Sequence, residues 1–124
     1  MRDFRELKVW QKAHQVALEI YRHSRAFPTD ERFGLTAHLR KSAISVPSNI
    51  AEGCGRDTEK ELARFLSIAA GSASELEYQL LLAHDLEYLP RDAYAALYDQ
   101  VAEVKRMLYR FMQSLSAPGL TADR

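Results

Sequence analysis

The sequence predicts an all-α protein, an up-down-up-down antiparallel four-helix bundle. Apolar residues recur at helical spacing in four segments, no segment alternates strictly between apolar and polar residues, and the connections are short. A chain of 124 residues is the size of one domain with its own core. The predicted bundle covers 1–115, with helices at about 4–26, 30–53, 58–86 and 90–115, followed by a flexible tail at 116–124.

The first helix carries an apolar arc that spans about 200° of a helical wheel, roughly twice the width that a bundle core needs. If the side with Trp10 and Tyr21 faces the core, then Val9, Val16 and Ile20 would be an exposed patch in a monomer. These three residues are therefore predicted to form an interface between copies of the chain.

Two tyrosines of the fourth helix extend the predicted interface. The apolar seam of this helix runs from Leu97 to Leu115 in steps of four and three, and Tyr98 and Tyr109 lie off that seam. They could join subunits or stack on nucleic-acid bases, although tyrosines are also ordinary at the boundary of a core.

The second helix contains a proline within the stretch SAISVPSNIAEG. Pro47 removes one backbone hydrogen bond, so the helix is expected to kink, or to restart at Asn49 with Glu52 at capping-box spacing. Gly53 is predicted to end the helix in a left-handed conformation. A ligand site built from Ser45, Ser48, Asn49 and Glu52, and a contact between subunits, are the alternatives to a role in packing.

The third helix has the clearest start signal, because Thr58 and Glu61 form a capping box ahead of the apolar residues. Small residues occupy its centre at 69–74. Gly71 should cost about 1 kcal/mol relative to alanine, and a close approach between helices would offset that cost.

The composition excludes several classes of protein. The formal charge is zero, with 17 basic and 17 acidic residues, which is not typical of a dedicated nucleic-acid binder. No stretch is long and apolar enough for export or for a membrane span, and the single cysteine, Cys54, cannot form an intramolecular disulfide. We expect a cytoplasmic protein with no membrane association.

The sequence offers no enzyme site. A di-iron bundle requires Glu-x-x-His pairs, and none of the four histidines has a glutamate three residues before it. His14 is expected to be a hydrogen-bonded core residue, and Cys54 has no histidine near it in sequence to act as a base. Glu75 and Glu77 are two residues apart and lie on different helical faces. We therefore expect no catalytic residues, no metal and no cofactor.

Charge is divided between the two halves of the chain. Residues 1–56 carry ten Lys or Arg against six Asp or Glu, and residues 57–124 carry seven against eleven. The basic residues of the first half suggest a nucleic-acid-binding surface, which a ring of copies would multiply. Solvated helix faces, or salt bridges between the two halves, would give the same totals. The candidate residues are Arg5, Lys8, Lys12, Arg22, Arg40 and Lys41.

Several segments together resemble a known family. They are LKVWQKA at 7–13, FP at 27–28, the E-x-x-G-L of 31–35, RKSAISVPSNIAEG at 40–53 and AAGSASELE at 69–77. This combination resembles the four-helix bundle proteins encoded in intervening sequences of bacterial 23S ribosomal RNA genes. His38, Lys41 and Ser42 stand where Gln, Arg and Ala are common in that family.

The resemblance implies the bundle and a ring-like homopentamer, and it implies no known enzymatic reaction. We therefore expect a non-enzymatic oligomeric interaction or scaffold module, in which the basic residues bind RNA or DNA. The alternative is a structural or protein-binding adaptor with no role in nucleic-acid binding. A partner protein is compatible with either function.

Overall fold

The computed structural model describes residues 2–116. The tail was predicted at 116–124; Ser116 is instead the last residue of the fourth helix, and 117–124 lie outside the described residues. Within residues 2–116 the chain is all-helical and has no strand, which confirms the predicted fold class. The helices are α1 (Lys8–Ser24), α2 (Leu35–Cys54), α3 (Glu59–Asp85) and α4 (Arg91–Ser116), and two short 3-10 helices lie at Phe4–Glu6 and Thr29–Glu31.

The four helices run antiparallel to their neighbours in sequence. At one end of the bundle, the backbone N–H of Arg2 donates to the carbonyl of Cys54 at 3.0 Å, and its guanidinium lies 5.5 Å from the ring centre of Phe111. At the other end, the hydroxyl of Tyr88 donates to the carboxylate of Glu31 at 3.1 Å. Each helix packs on its sequence neighbours and α1 closes the bundle against α4, while the diagonal pairs make no close backbone contact.

Two helices begin later than predicted, and each delay has a local cause. Leu7 is extended, with φ −83° and ψ 126°, so Phe4–Glu6 forms a separate 3-10 helix and α1 starts at Lys8. Gly34 is also non-helical, with φ −105° and ψ −116°. The carboxylate of Glu31 accepts from the N–H of Leu35 at 3.1 Å and so satisfies one free donor at the start of α2.

The start of α3 agrees with the sequence prediction. The hydroxyl of Thr58 accepts from the backbone N–H of Glu61 at 3.1 Å, as an N-cap should. The Glu61 side chain pairs with Arg64 at 3.0 Å. The Thr58 half of the predicted capping box is therefore present, whereas the Glu61 side chain pairs with Arg64 instead of the backbone of Thr58.

Candidate interaction surfaces

The helix α2 runs without interruption through Pro47 to Cys54, so the predicted restart at Asn49 is wrong. The amide of Asn49 donates to the carbonyl of Ser45 at 2.8 Å and to its hydroxyl at 3.0 Å. Glu52 pairs with Arg56 one turn later and takes no part in a cap. The hydrogen bonds of the Asn49 amide therefore span the proline, from two residues before it to two residues after it.

The flank of α2 that carries Ser45 and Gly53 packs closely on α3. The hydroxyls of Ser45 and Ser72 lie 2.7 Å apart across this contact. A Cβ on Gly53 would lie 3.0 Å from the side chains of both Leu62 and Phe65. Gly53 is thus a helical residue required by close packing, and the predicted left-handed helix end is wrong.

The second glycine prediction also fails. Gly71 is exposed, and a Cβ built on it would meet no atom within 4 Å. The small residues of α3 that face its neighbours are Ala69, Ala70, Ser72 and Ala73, which are buried. Gly71 therefore lies on the outer surface of the bundle, and nothing within residues 2–116 explains its cost to the helix.

The side chains weighed as enzyme candidates in the sequence lie apart in the structure. No group of three or more His, Cys, Asp and Glu side chains in residues 2–116 could hold a metal ion. His14 is exposed and stacks on Trp10 with ring centres 4.9 Å apart, so the predicted core histidine is wrong. Burial raises the pKa of the Cys54 thiol, which keeps it protonated and weakly nucleophilic. Glu77 accepts from Lys105 at 2.8 Å in a largely buried ion pair.

Half of the six candidate basic residues are paired with acidic side chains. Arg5 pairs with Asp3 and Arg22 pairs with Glu19. Lys12 reaches across to Glu103 of α4 at 3.1 Å, which is a salt bridge between the basic and acidic halves of the chain. These three pairs reduce the positive charge available to a nucleic acid.

The remaining three basic candidates do not share one surface. Arg40 donates to the hydroxyl of Ser24 at 2.8 Å, and its guanidinium lies 4.6 Å from the ring centre of Tyr21 on α1. Lys41 is exposed on α2, whereas Lys8 lines a groove between α1 and α4. Within residues 2–116, neither lysine forms an ion pair.

The groove beside Lys8 contains a basic residue that the sequence prediction missed. Arg110 of α4 lines it together with Lys8 and forms no ion pair within the described part of the chain. The sequence did contain a signal for a basic surface on α4, because Arg106 and Arg110 are four residues apart on the polar side of that helix. Only the tertiary structure brings Arg110 close to Lys8.

The predicted α1 interface lies in the core of the bundle. Val9, Val16 and Ile20 have exposed fractions of 5%, 4% and 0% in the single chain, so they are not available to a partner. This edge of the apolar arc of α1 faces the other three helices, and the opposite edge lies on the surface of the bundle. Tyr98 and Tyr109, the other two candidates, are exposed on α4.

The uncovered edge of α1 forms what we call the aromatic groove, between α1 and α2. It has a volume of about 410 Å³. Its main lining side chains are Phe4, Trp10, His14, Leu18, Tyr21 and Ile44. Leu18, Tyr21 and Ile44 are exposed, and no carboxylate lines the groove. The positive guanidinium of Arg40, stacked on Tyr21, borders it.

A second surface, which we call the acidic groove, lies on the other flank of α2, against α3. It has a volume of about 670 Å³. Its main lining residues are Glu31, His38, Gly71, Glu75, Tyr78 and Leu86. Tyr78 is 61% exposed and Leu86 is also exposed, while no Lys or Arg lines the groove. Both grooves thus combine exposed apolar side chains with charge of one sign.

None of the helices in residues 2–116 has the length and apolar character that a membrane crossing requires.

Comparison with known proteins agrees with the resemblance noted in the sequence. The family described as 23S rRNA-intervening sequence protein matches residues 5–110. Curated proteins gave no match. Among solved structures, the chain resembles a protein of unknown function from the S23 ribosomal protein family of Bacteroides thetaiotaomicron, with 24% sequence identity and a TM-score of 0.78. The alignment covers 85% of this chain and 95% of that one, and it supports the same fold.

Proposed function

The chain belongs to the 23S rRNA-intervening sequence protein family, and we propose that it is a non-enzymatic interaction module that self-associates through the aromatic groove. The observation that carries this proposal is the uncovered apolar edge of α1. Leu18 and Tyr21 are exposed in the single chain, and Ile44 of α2 lies exposed beside them. We propose a cytoplasmic homopentamer as the assembled form, which the family resemblance favours.

The chemistry of this surface supports a protein partner. Aromatic and aliphatic side chains grouped in a groove are the usual anchors of protein interfaces, because each buries a large apolar area at a small entropic cost. Trp10 makes an edge contact with Phe4, at 4.8 Å between ring centres, and stacks on His14 at 4.9 Å. These two contacts hold the indole in place before a partner arrives, which lowers the cost of binding.

Light scattering coupled to size-exclusion chromatography tests this proposal. We expect the wild type to be oligomeric at micromolar concentration and Leu18→Glu to be monomeric, because the substitution places a charge in the apolar contact. Phe33→Ser is the matched control, since Phe33 is 86% exposed and does not line the aromatic groove. A monomeric wild type, or an oligomeric Leu18→Glu, would contradict the proposal.

Nucleic-acid binding is a second candidate function, supported by the pair of Lys8 and Arg110 at the α1–α4 groove. Glu6 lines the same groove, so two cations and one carboxylate leave one net positive charge per subunit, and an assembly would repeat that charge around a multivalent surface. Lys8→Glu with Arg110→Glu should then abolish salt-sensitive retention of RNA or DNA on a filter. Arg22→Glu is the control, because Arg22 already pairs with Glu19. Equal retention by all variants would leave a protein-binding adaptor as the function.

A further inference from the structure

We infer that the aromatic groove of one copy packs against the acidic groove of the next copy, in a head-to-tail arrangement that places α2 toward the centre of the assembly. This inference rests on the proposed self-association. It goes further by assigning the two surfaces that meet and the helix that faces inward.

The charges of the two grooves are complementary. The aromatic groove has no carboxylate in its lining and is bordered by Arg40. The acidic groove contains Glu31 and Glu75 and has no Lys or Arg in its lining. Glu75 is exposed and has no ion-pair partner within residues 2–116. Contact between unlike grooves therefore brings opposite charges together.

A symmetric contact between two identical grooves is less favourable on the same grounds. Two aromatic grooves facing each other would bring two Arg40 side chains to one interface, and two acidic grooves would do the same with Glu75. Either two-fold contact would also leave the other groove of each copy uncovered. A head-to-tail contact covers both apolar surfaces of every copy with a single kind of interface.

Gly71 gives the acidic groove room for a neighbouring helix. A glycine at the centre of a helix costs about 1 kcal/mol relative to alanine, and Gly71 recovers none of it inside its own chain. Its missing side chain leaves a flat place on α3 beside the exposed ring of Tyr78. The backbone of another helix can approach closely there, and the ring can pack on its side.

The positions of the grooves favour a closed ring over an open chain. They lie on adjacent faces of the bundle, on either side of α2, and adjacent faces of a four-helix bundle are roughly 90° apart. Head-to-tail packing of parallel bundles at such an angle closes after about four or five copies. In that ring, the shared helix α2 faces the axis, and its exposed Lys41 points toward the centre.

Cysteine cross-linking tests which surfaces meet. The natural Cys54 is buried, so cysteines introduced at Leu18 and Tyr78 are the main reactive thiols. Four samples are prepared: Leu18→Cys alone, Tyr78→Cys alone, the two variants co-expressed, and one chain that carries both substitutions. Each sample is then treated with a short bismaleimide. We expect no cross-linked dimer from either variant alone, a mixed dimer after co-expression, and a ladder of multimers from the doubly substituted chain. Ala95→Cys, exposed on α4, is the control for random collision and should give no dimer.

The outcomes separate this inference from the proposed function. Dimers of Leu18→Cys alone would indicate a two-fold contact and overturn the head-to-tail arrangement. An oligomer by light scattering without cross-links in the doubly substituted chain would overturn the pairing of grooves and leave self-association intact. Gly71→Leu gives an independent measurement: its circular dichroism should match that of the wild type while its mass falls to that of a monomer. An assembled Gly71→Leu would also overturn the inference.

Discussion

Replacement of Gly53 by alanine should destabilise the protein, even though alanine is the better helix former. Gly53 lies in the last turn of α2, where an added Cβ would be 3.0 Å from the Cβ of Phe65 and 3.3 Å from the carbonyl oxygen of Leu62. Both atoms are fixed to the backbone of α3 and cannot rotate away. The two helices would have to separate by a few tenths of an ångström, which loosens the serine contact between them.

The expected size of the effect follows from two opposing terms. Glycine to alanine within a helix gains about 1 kcal/mol. Overpacking of a close contact costs about 1–3 kcal/mol. We therefore expect Gly53→Ala to lower the free energy of unfolding by about 1 kcal/mol. Gly55→Ala is the matched control, because the nearest atom to its Cβ would be at an ordinary 3.5 Å and its φ of −84° suits any residue.

Urea denaturation followed by far-UV circular dichroism measures both variants. All samples must have one protein concentration, because the proposed self-association would contribute to the apparent stability. Gly55→Ala should be equal to the wild type or more stable by about 0.4–1 kcal/mol. If Gly53→Ala were as stable as Gly55→Ala, the close packing of α2 on α3 would not be what requires the glycine.

Three further predictions concern the cap, the serine contact and the buried thiol. Thr58→Ala should cost about 1 kcal/mol in urea denaturation, since it removes the N-cap of α3, whereas Thr29→Ala, whose side chain caps no helix, should cost less. A double-mutant cycle of Ser45→Ala and Ser72→Ala should give a coupling energy of about 0.5–1.5 kcal/mol, and additive effects would contradict a hydrogen bond between the two hydroxyls. Because burial raises the pKa of Cys54, its contribution to stability is complete below the unfolded thiol pKa of about 8.5 and is lost as the pH rises through the folded pKa. The wild type should therefore lose stability relative to Cys54→Ala above about pH 8.5, and parallel pH profiles would refute this reasoning.

The sequence predicted the fold because helix formation and bundle packing leave a local signal. The spacing of apolar residues identified all four helices, and the cap at Thr58 appeared where the capping box indicated. The starts of α1 and α2 were predicted too early. Leu7 departs from helical geometry with no signal in its residue type, whereas Gly34, a residue type that is unfavourable inside a helix, offered a signal that the prediction did not use. Composition and spacing alone do not report the backbone angles of such single residues.

The orientation of α1 could not be predicted because its apolar arc is wider than the core that it faces. Either edge, the one with Val9 and Val16 or the one with Trp10 and Tyr21, would satisfy helical periodicity. The structure buries the smaller aliphatic residues and leaves the larger aromatic ones outside. The prediction of surplus apolar surface on this helix was sound, but it was assigned to the wrong edge.

The prediction of the basic surface failed for a different reason, because its residues lie next to residues that are far away in the sequence. Lys12 pairs with Glu103, and Lys8 and Arg110 line one groove, only because the fourth helix returns to pack on the first. A helical wheel describes one helix at a time. It therefore cannot show that a basic residue is neutralised by an acidic residue of another helix, or that another helix adds a basic residue to the same surface. The alternative of salt bridges between the two halves was correct for Lys12.

The stretch around Pro47 explains why an uncovered groove exists at all. On one flank of α2, Ser45 and Gly53 are small, so α3 comes close enough for the hydroxyl of Ser72 to bond directly. On the other flank, Pro47 is buried beneath the bulky side chains of the aromatic groove, and Tyr21 is spaced from α2 by the guanidinium of Arg40. Close packing on one side and large side chains on the other produce a bundle that is tight between α2 and α3 and open between α1 and α2. Small residues on one flank thus hold α2 against α3, while bulky residues on the other flank leave the aromatic surface exposed.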